Sequence, residues 1–159
     1  MKEIQNYING KFQPPVKGRT IDDINPATGE IIGTVPASTL DDVQQAVDAA
    51  NDARTAWASL TIDERVSWLD KIANSLESQS EKIASLESLD TGKPISLARA
   101  VDAARSVTNF RFFAKFAKDY TNEKFEMEDA INHVILKPVG IAGLITPWNL
   151  PLYLLSWKI

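Results

Sequence analysis

The sequence predicts an α/β chain that opens with hairpins, continues through a layer of helices and ends on the start of a parallel sheet. Three observations predict it. Asn9-Gly10 lies between Tyr7-Ile8 and Lys11-Phe12, the strongest short-range signal for a hairpin with a type I′ turn. Thr39 with Asp42, and Thr61 with Glu64, have the spacing of capping boxes and precede apolar residues at helical intervals. Lastly, Ile141, Ala142, Leu144 and Ile145 form a short apolar run suited to a strand covered on both faces.

A second hairpin is predicted around Ala27-Thr28-Gly29, joining residues 21–24 to residues 31–35, with a linker over 36–38. After Thr39, residues Val43, Ala46, Val47, Ala50, Ala53 and Trp57 share one helical face. The box at Thr61 leads a second helix carrying Val66, Leu69, Ile72, Ala73 and Leu76. Ser78 and Glu81 begin a third, with Ile83, Leu86 and Leu89; Gly92 ends it and Pro94 blocks its continuation. A long helix follows over 95–120, its apolar face formed by Leu97, Val101, Ala104, Thr108, Phe112 and Phe116. Residues 121–129 read as a charged loop and 133–139 as a strand.

The polar corner after Ile145 is the most informative stretch. Thr146 and Pro147 end the apolar run, because proline donates no ladder hydrogen bond and turns its predecessor away from helix. Asn149 fits an N-cap and Pro151 a first helical turn. Such a corner lies at the carboxyl end of a strand, where open α/β sheets bind ligands. An asparagine amide mounted there suits a developing oxyanion.

Thr146-Pro147-Trp148-Asn149-Leu150-Pro151, with Trp157-Lys158 further on, resembles the "PWN(F/L)P…WK" segment of the aldehyde dehydrogenase superfamily. Asn25-Pro26-Ala27-Thr28-Gly29-Glu30 is similar to that family's N-terminal turn. Leu89-Asp90-Thr91-Gly92-Lys93-Pro94 resembles its helix stop, and Lys137-Pro138-Val139-Gly140 the entry to its first cofactor-domain strand. The resemblance runs from about Tyr7 to the last residue. It implies the N-terminal portion of the aldehyde dehydrogenase fold: hairpins, a helical layer and the start of a Rossmann-like sheet. Residues 1–120 would be the hairpins and helices of the cofactor-binding domain, 121–139 the loop and strand of an oligomerisation arm, and 140–159 the first strand and helix of the dinucleotide-binding sheet, truncated.

The resemblance also implies roles. Asn149 would help form the oxyanion hole, and Lys158 would belong to the charge relay near the active site. Ile145, Thr146, Pro147, Trp148 and Asn149 would contact NAD, with NADP not excluded. Leu150, Tyr153, Leu154 and Trp157 fall at i, i+3, i+4 and i+7, hence on one face; in the family that face lines the aldehyde tunnel, the plain alternative being core packing. The strings Arg105-Ser-Val-Thr-Asn-Phe-Arg-Phe-Phe-Ala114 and Asn149-Leu-Pro-Leu-Tyr-Leu-Leu155 are similar to the branch handling 2-aminomuconic and 2-hydroxymuconic semialdehydes. Those substrates carry a carboxylate, which the Arg105 guanidinium would hold through two parallel hydrogen bonds. Alternatively Arg105 pairs with Asp102 or Asp119, or faces water; Arg111 is the rival, with an anchoring role beside Phe112 and Phe113. Asp90, with the backbone carbonyls of Asp23 and Ile24, matches a monovalent-cation site of some family members, or else merely accepts bonds near a helix end.

Composition fits this reading. The 159 residues are 44% apolar with a net charge of −4; lacking a basic block, they give no reason to expect nucleic acid. No apolar run reaches the roughly 20 residues of a membrane span, and cytoplasmic localisation is the default. The absence of cysteine excludes disulfides here, and a single histidine, His133, makes no transition-metal case. The family's cysteine nucleophile, glutamate base and glycine-rich turn all lie outside these residues. With Ile159 ending an apolar stretch, the expectation is a truncated or partly observed enzyme, a homo-oligomer (dimer or tetramer) acting on a small-molecule aldehyde. Two rivals remain: a catalytically inactive module acting by protein binding, and a betaine-aldehyde or succinic-semialdehyde dehydrogenase.

Overall fold

A computed structural model describes residues 2–120 and 123–159; Met1, Thr121 and Asn122 lie outside the described residues, so the loop expected over 121–129 is described from residue 123 only. Strands β1 (Lys2–Glu3), β4 (Thr20–Ile24) and β5 (Ile31–Pro36) form a sheet in the order β1-β5-β4, with β1 parallel and β4 antiparallel to β5. Gly33 is required where β1 meets β5. A Cβ there would come within 2.5 Å of the Lys2 carbonyl oxygen, a distance that real side chains do not tolerate.

Strands β2 (Asn6–Ile8) and β3 (Lys11–Gln13) pair antiparallel across Asn9-Gly10, whose φ values of 51° and 75° are those of the expected tight turn. The second expected hairpin is β4–β5. Its turn is organised by Asn25, which is buried and accepts at Oδ1 from the Ala27 amide (2.9 Å), while its own carbonyl accepts from the Gly29 amide (2.8 Å). This is an Asx turn, the role for which asparagine is suited.

Helices α1 (Leu40–Ala58), α2 (Ile62–Ser78) and α3 (Ser80–Thr91) follow. Both expected boxes form. The Thr39 amide donates to Asp42 Oδ2 (2.7 Å) and the Thr61 amide to Glu64 Oε2 (2.7 Å). Asp42 does more than cap: buried, it also accepts from the Val16 amide (2.8 Å) and from Asn6 Nδ2 (3.2 Å), and so ties the first hairpin to α1. These donors hold its carboxyl below the ordinary carboxylate range, the Thr39 amide foremost. Gly92 stops α3 in the left-handed conformation (φ 71°), and a Cβ there would lie 2.8 Å from Pro26 Cγ. The helix stop and the Asn25–Glu30 turn are therefore in contact.

The long helix is three pieces in one axis: α4 (Ile95–Leu97), a π-helical turn (Ala98–Ala103) and α5 (Ala104–Asp119). The core lies between α2 and α5, where Ala73, Val107 and Phe110 pack with Leu69 and Leu76. Arg111 anchors the same pair of helices through two bonds to Glu77 and one to Asn74, the anchoring role expected of it. The apolar stripe of α1 has no comparable cover; Val43, Val47 and Trp57 are exposed.

Toward the C-terminus the elements depart from expectation. Residues 124–126, expected in a loop, form β6 (Lys124–Glu126), which pairs with β7 (Ile131–His133). The strand expected over 133–139 is thus confined to its first residue, with the pairing two residues earlier. Residues 134–147 have no regular structure, so the strand expected over 141–145 does not form. The cause is physical. A parallel strand exists through hydrogen bonds to neighbours, and no strand among the described residues lies beside this one. A last short helix, α6 (Pro151–Leu155), closes the chain, with Pro151 in its first turn as expected.

Candidate active site

The corner before α6 is built from both ends of the chain's helical half. Leu150, rather than Asn149, occupies the N-cap of α6, and no side chain of the chain's own corner caps it. The expected capping role of Asn149 is therefore corrected. Its side chain is exposed and makes no hydrogen bond among the described residues, whereas its backbone carbonyl accepts from Lys93 Nζ at 3.0 Å. Capping is supplied from elsewhere: Glu87 on α3 accepts the Leu152 amide of the first turn at 3.4 Å.

Beneath the corner lies a cluster of one cation and two carboxylates. Lys93 Nζ is 2.9 Å from Asp102 Oδ1 and 3.6 Å from Glu87 Oε2. Asp102, in the π-helical turn, is fully buried (0% exposed), and its Oδ2 has no partner among the described residues. Two carboxylates share one ammonium. Burial, and then the neighbouring Asp102 charge, push the Glu87 carboxyl above its ordinary range. The alternative partner suggested for Arg105, Asp102, is thus taken by Lys93.

Arg105, at the start of α5, reaches α6 instead. Its Nη1 donates to the Tyr153 hydroxyl at 3.4 Å, and its guanidinium carbon lies 5.6 Å from the Tyr153 ring centre. That contact first, and a bond involving Trp157 second, lower the Tyr153 hydroxyl from its usual range. Trp157 meets Tyr153 and Phe113 edge-on, with ring centres 6.3 and 6.2 Å apart. Leu150, Tyr153 and Leu154 are half-buried and Trp157 is exposed. The expected tunnel face therefore sits against α5, with Arg105 at its polar margin.

The expected cofactor residues lie together but uncovered. Ile145 is 83% and Trp148 82% exposed, with Pro147 exposed and Thr146 half-buried between them. Lys158 folds back to donate from Nζ to the Ile145 carbonyl, tying the end of the chain to this segment. Asp90 and Asp23 line one cavity with Glu87, Pro151 and Leu152, and burial together with the Asp23 charge raises the Asp90 carboxyl. No group of three or more acidic, histidine or cysteine side chains forms a metal centre among the described residues.

Residues 12–159 match the model of the aldehyde dehydrogenase family. The chain belongs to the aldehyde dehydrogenase family. It is 45% identical to the 2-aminomuconic semialdehyde dehydrogenase of Homo sapiens, over 98% of this chain and 32% of that one. It is 40% identical to the 2-hydroxymuconic semialdehyde dehydrogenase of Pseudomonas sp. (strain CF600), over 100% of this chain and 34% of that one. Among solved structures, the NAD+ complex of the aldehyde dehydrogenase from Bacillus cereus superposes with a TM-score of 0.92 at 36% identity, covering 99% of this chain and 33% of that one. PnpE in complex with nicotinamide adenine dinucleotide does so at 0.92 and 40%, covering 98% of this chain and 32% of that one. The chain thus spans about a third of the length of these relatives and corresponds to the N-terminal portion of the aldehyde dehydrogenase fold. The relatives' names are those of oxidoreductase enzymes.

Sequence reasoning missed Lys93, Glu87 and Asp102 as parts of the corner. It also missed Asn109, whose Nδ2 donates to the buried Ser156 Oγ at 2.9 Å and so fastens α6 to α5. For Lys93 a signal existed, its place in Asp90-Thr-Gly-Lys-Pro94. For Glu87 and Asn109 the partner is 47 or more residues away in sequence, and nothing local announces it; Asp102 is nine residues from Lys93, with no motif joining the two.

Proposed function

We propose that these residues furnish the oxyanion corner, part of the cofactor face and one wall of the aldehyde tunnel in an NAD-dependent enzyme. It oxidises a carboxylated semialdehyde, of the 2-aminomuconate or 2-hydroxymuconate type, to the acid. The observation that carries the reading is the Asn149 carboxamide, exposed and without a hydrogen bond among the described residues, four residues before a tyrosine that Arg105 contacts from α5. Asn149 donates an N–H to the oxygen that gains charge when a cysteine thiolate outside these residues attacks the aldehyde carbon. Lys158 braces the relay by holding the Ile145 carbonyl. Arg105 binds the distal carboxylate, and Tyr153 sets the guanidinium's position.

NAD fits the outward apolar side chains of Ile145 and Trp148, with Thr146, Pro147 and Asn149 completing the face; when bound it accepts the hydride of the aldehyde carbon. The names of the muconic semialdehyde dehydrogenases and the dinucleotide complexes of the relatives support substrate class and cofactor alike. Asp90, with the backbone carbonyls of Asp23 and Ile24, suits a monovalent cation, since a positive charge there would offset the Asp23 charge that raises the Asp90 carboxyl. Cytoplasmic localisation and a homo-oligomer complete the proposal.

The test is kinetic. In the complete enzyme carrying this segment, Arg105→Ala should raise KM for carboxylated semialdehydes about 10–100-fold, the worth of losing a hydrogen bond to a charged group, and leave uncharged aldehydes nearly unaffected. Equal losses on both would remove Arg105 from the substrate site.

A further inference from the structure

We infer that Lys93 is a positioning residue for the Asn149 corner, its ammonium clamping the peptide that carries the carboxamide. The inference rests on the oxyanion role proposed above for Asn149 but concerns a different residue, 56 positions away.

Three features make Lys93 a clamp. Its backbone is fixed on both sides, by the left-handed Gly92 before it and by Pro94, the N-cap of α4, after it. Its side chain is nearly enclosed at 11% exposure, with Asp102 and Glu87 on one side and the Asn149 carbonyl on the other. An ammonium has three hydrogens and no acceptor capacity. Asp102 Oδ1 at 2.9 Å and Asn149 O at 3.0 Å take two of them at good length, with Glu87 in electrostatic range.

Asp102 orients the lysine because its carboxylate has no other partner among the described residues. Its second oxygen lacks a partner among the described residues, and it is placed by the π-helical turn, a device that often marks functional positions in helices. Glu87 completes the hold from the acceptor side, through the Leu152 amide. The peptide after Asn149 and the first turn of α6 are therefore held by one cluster, through one donor and one acceptor. The consequence for chemistry is geometric: a carboxamide on an exposed loop keeps a fixed aim only if its peptide is anchored, and misplacement by about 1 Å can cost about 10²-fold in rate.

The test compares Lys93→Met, Asn149→Ala and their combination in the complete enzyme. Because Lys93→Met alone strands the buried Asp102 charge, Lys93→Met with Asp102→Leu serves as the companion, lacking the clamp without the stranded charge. Both should lower kcat by up to about 10²-fold at saturating dinucleotide, should add little further loss in the Asn149→Ala background, and should speed amide hydrogen exchange at Leu150 and residues 152–154. Unaltered exchange there in the companion variant, or full additivity with Asn149→Ala, would overturn the inference. If Asn149→Ala itself retains full kcat, the oxyanion reading falls, and the exchange measurement still decides whether Lys93 holds the corner.

Discussion

Gly92→Ala is the most informative perturbation of the scaffold, because the structure separates its two costs. The left-handed backbone at φ 71° costs an alanine about 1–2 kcal/mol. The added Cβ also meets Pro26 Cγ at 2.8 Å and the Ala27 amide nitrogen at 3.4 Å, an overpacking typically worth about 1–3 kcal/mol. Together these predict a loss of about 2–5 kcal/mol. Gly29 provides the control: its φ is 75°, but a Cβ there meets nothing within 4 Å, so Gly29→Ala should show the backbone cost alone. Urea unfolding followed by tryptophan fluorescence measures both variants. In melting temperature the difference between them should be about 2–12 °C, at roughly 2–4 °C per kcal/mol for a chain of this size. Pro26→Ala should recover part of the Gly92→Ala loss and little of the Gly29→Ala loss. Equal destabilisation by the two glycine variants, with no coupling to Pro26, would refute the contact between the helix stop and the Asn25–Glu30 turn.

Other outcomes follow from the same contacts. Thr61→Ala should cost about 1 kcal/mol, the usual worth of an N-cap, read as a shift in urea midpoint, since its bonds with Glu64 are exposed and local. Asp42 has a depressed carboxyl in the fold, so its stabilising contribution is present above its unfolded pKa and is lost as pH falls through the folded one; Asp42→Asn should flatten that acid limb. Glu87 has the opposite sign, its raised carboxyl making ionisation costly in the fold. The wild type should therefore lose stability relative to Glu87→Gln as pH rises through the carboxylate range, while the amide oxygen still accepts from Leu152. A Gln variant that becomes steadily less stable than wild type over that range would contradict this.

What was legible in the sequence was local. Asn9-Gly10 names its turn because few residues accept those φ values, and the Thr61–Glu64 box completes itself within four residues. Gly92 ends α3 for a reason visible in its type. The strand expected over 141–145 was not legible in the same way, because a strand of a parallel sheet is made by its neighbours. Asn149 shows the competition most clearly. Its residue type suits an N-cap, but Leu150 takes that position, Glu87, far off in sequence, accepts the first-turn amide, and the carboxamide makes no hydrogen bond among the described residues. The π-helical turn and the Lys93 cluster depend on tertiary contacts that no periodicity encodes. The apolar stripe expected along α1 stays exposed at Val43, Val47 and Trp57, and the residue that α1 buries is Asp42.

The decisive measurement is the pre-steady-state rate of reduced dinucleotide formation by Asn149→Ala in the complete enzyme, saturated with a carboxylated semialdehyde. A fall of about 10²–10³-fold at saturating dinucleotide, the worth of one oxyanion donor, is the predicted result. A rate within a few-fold of wild type would contradict it.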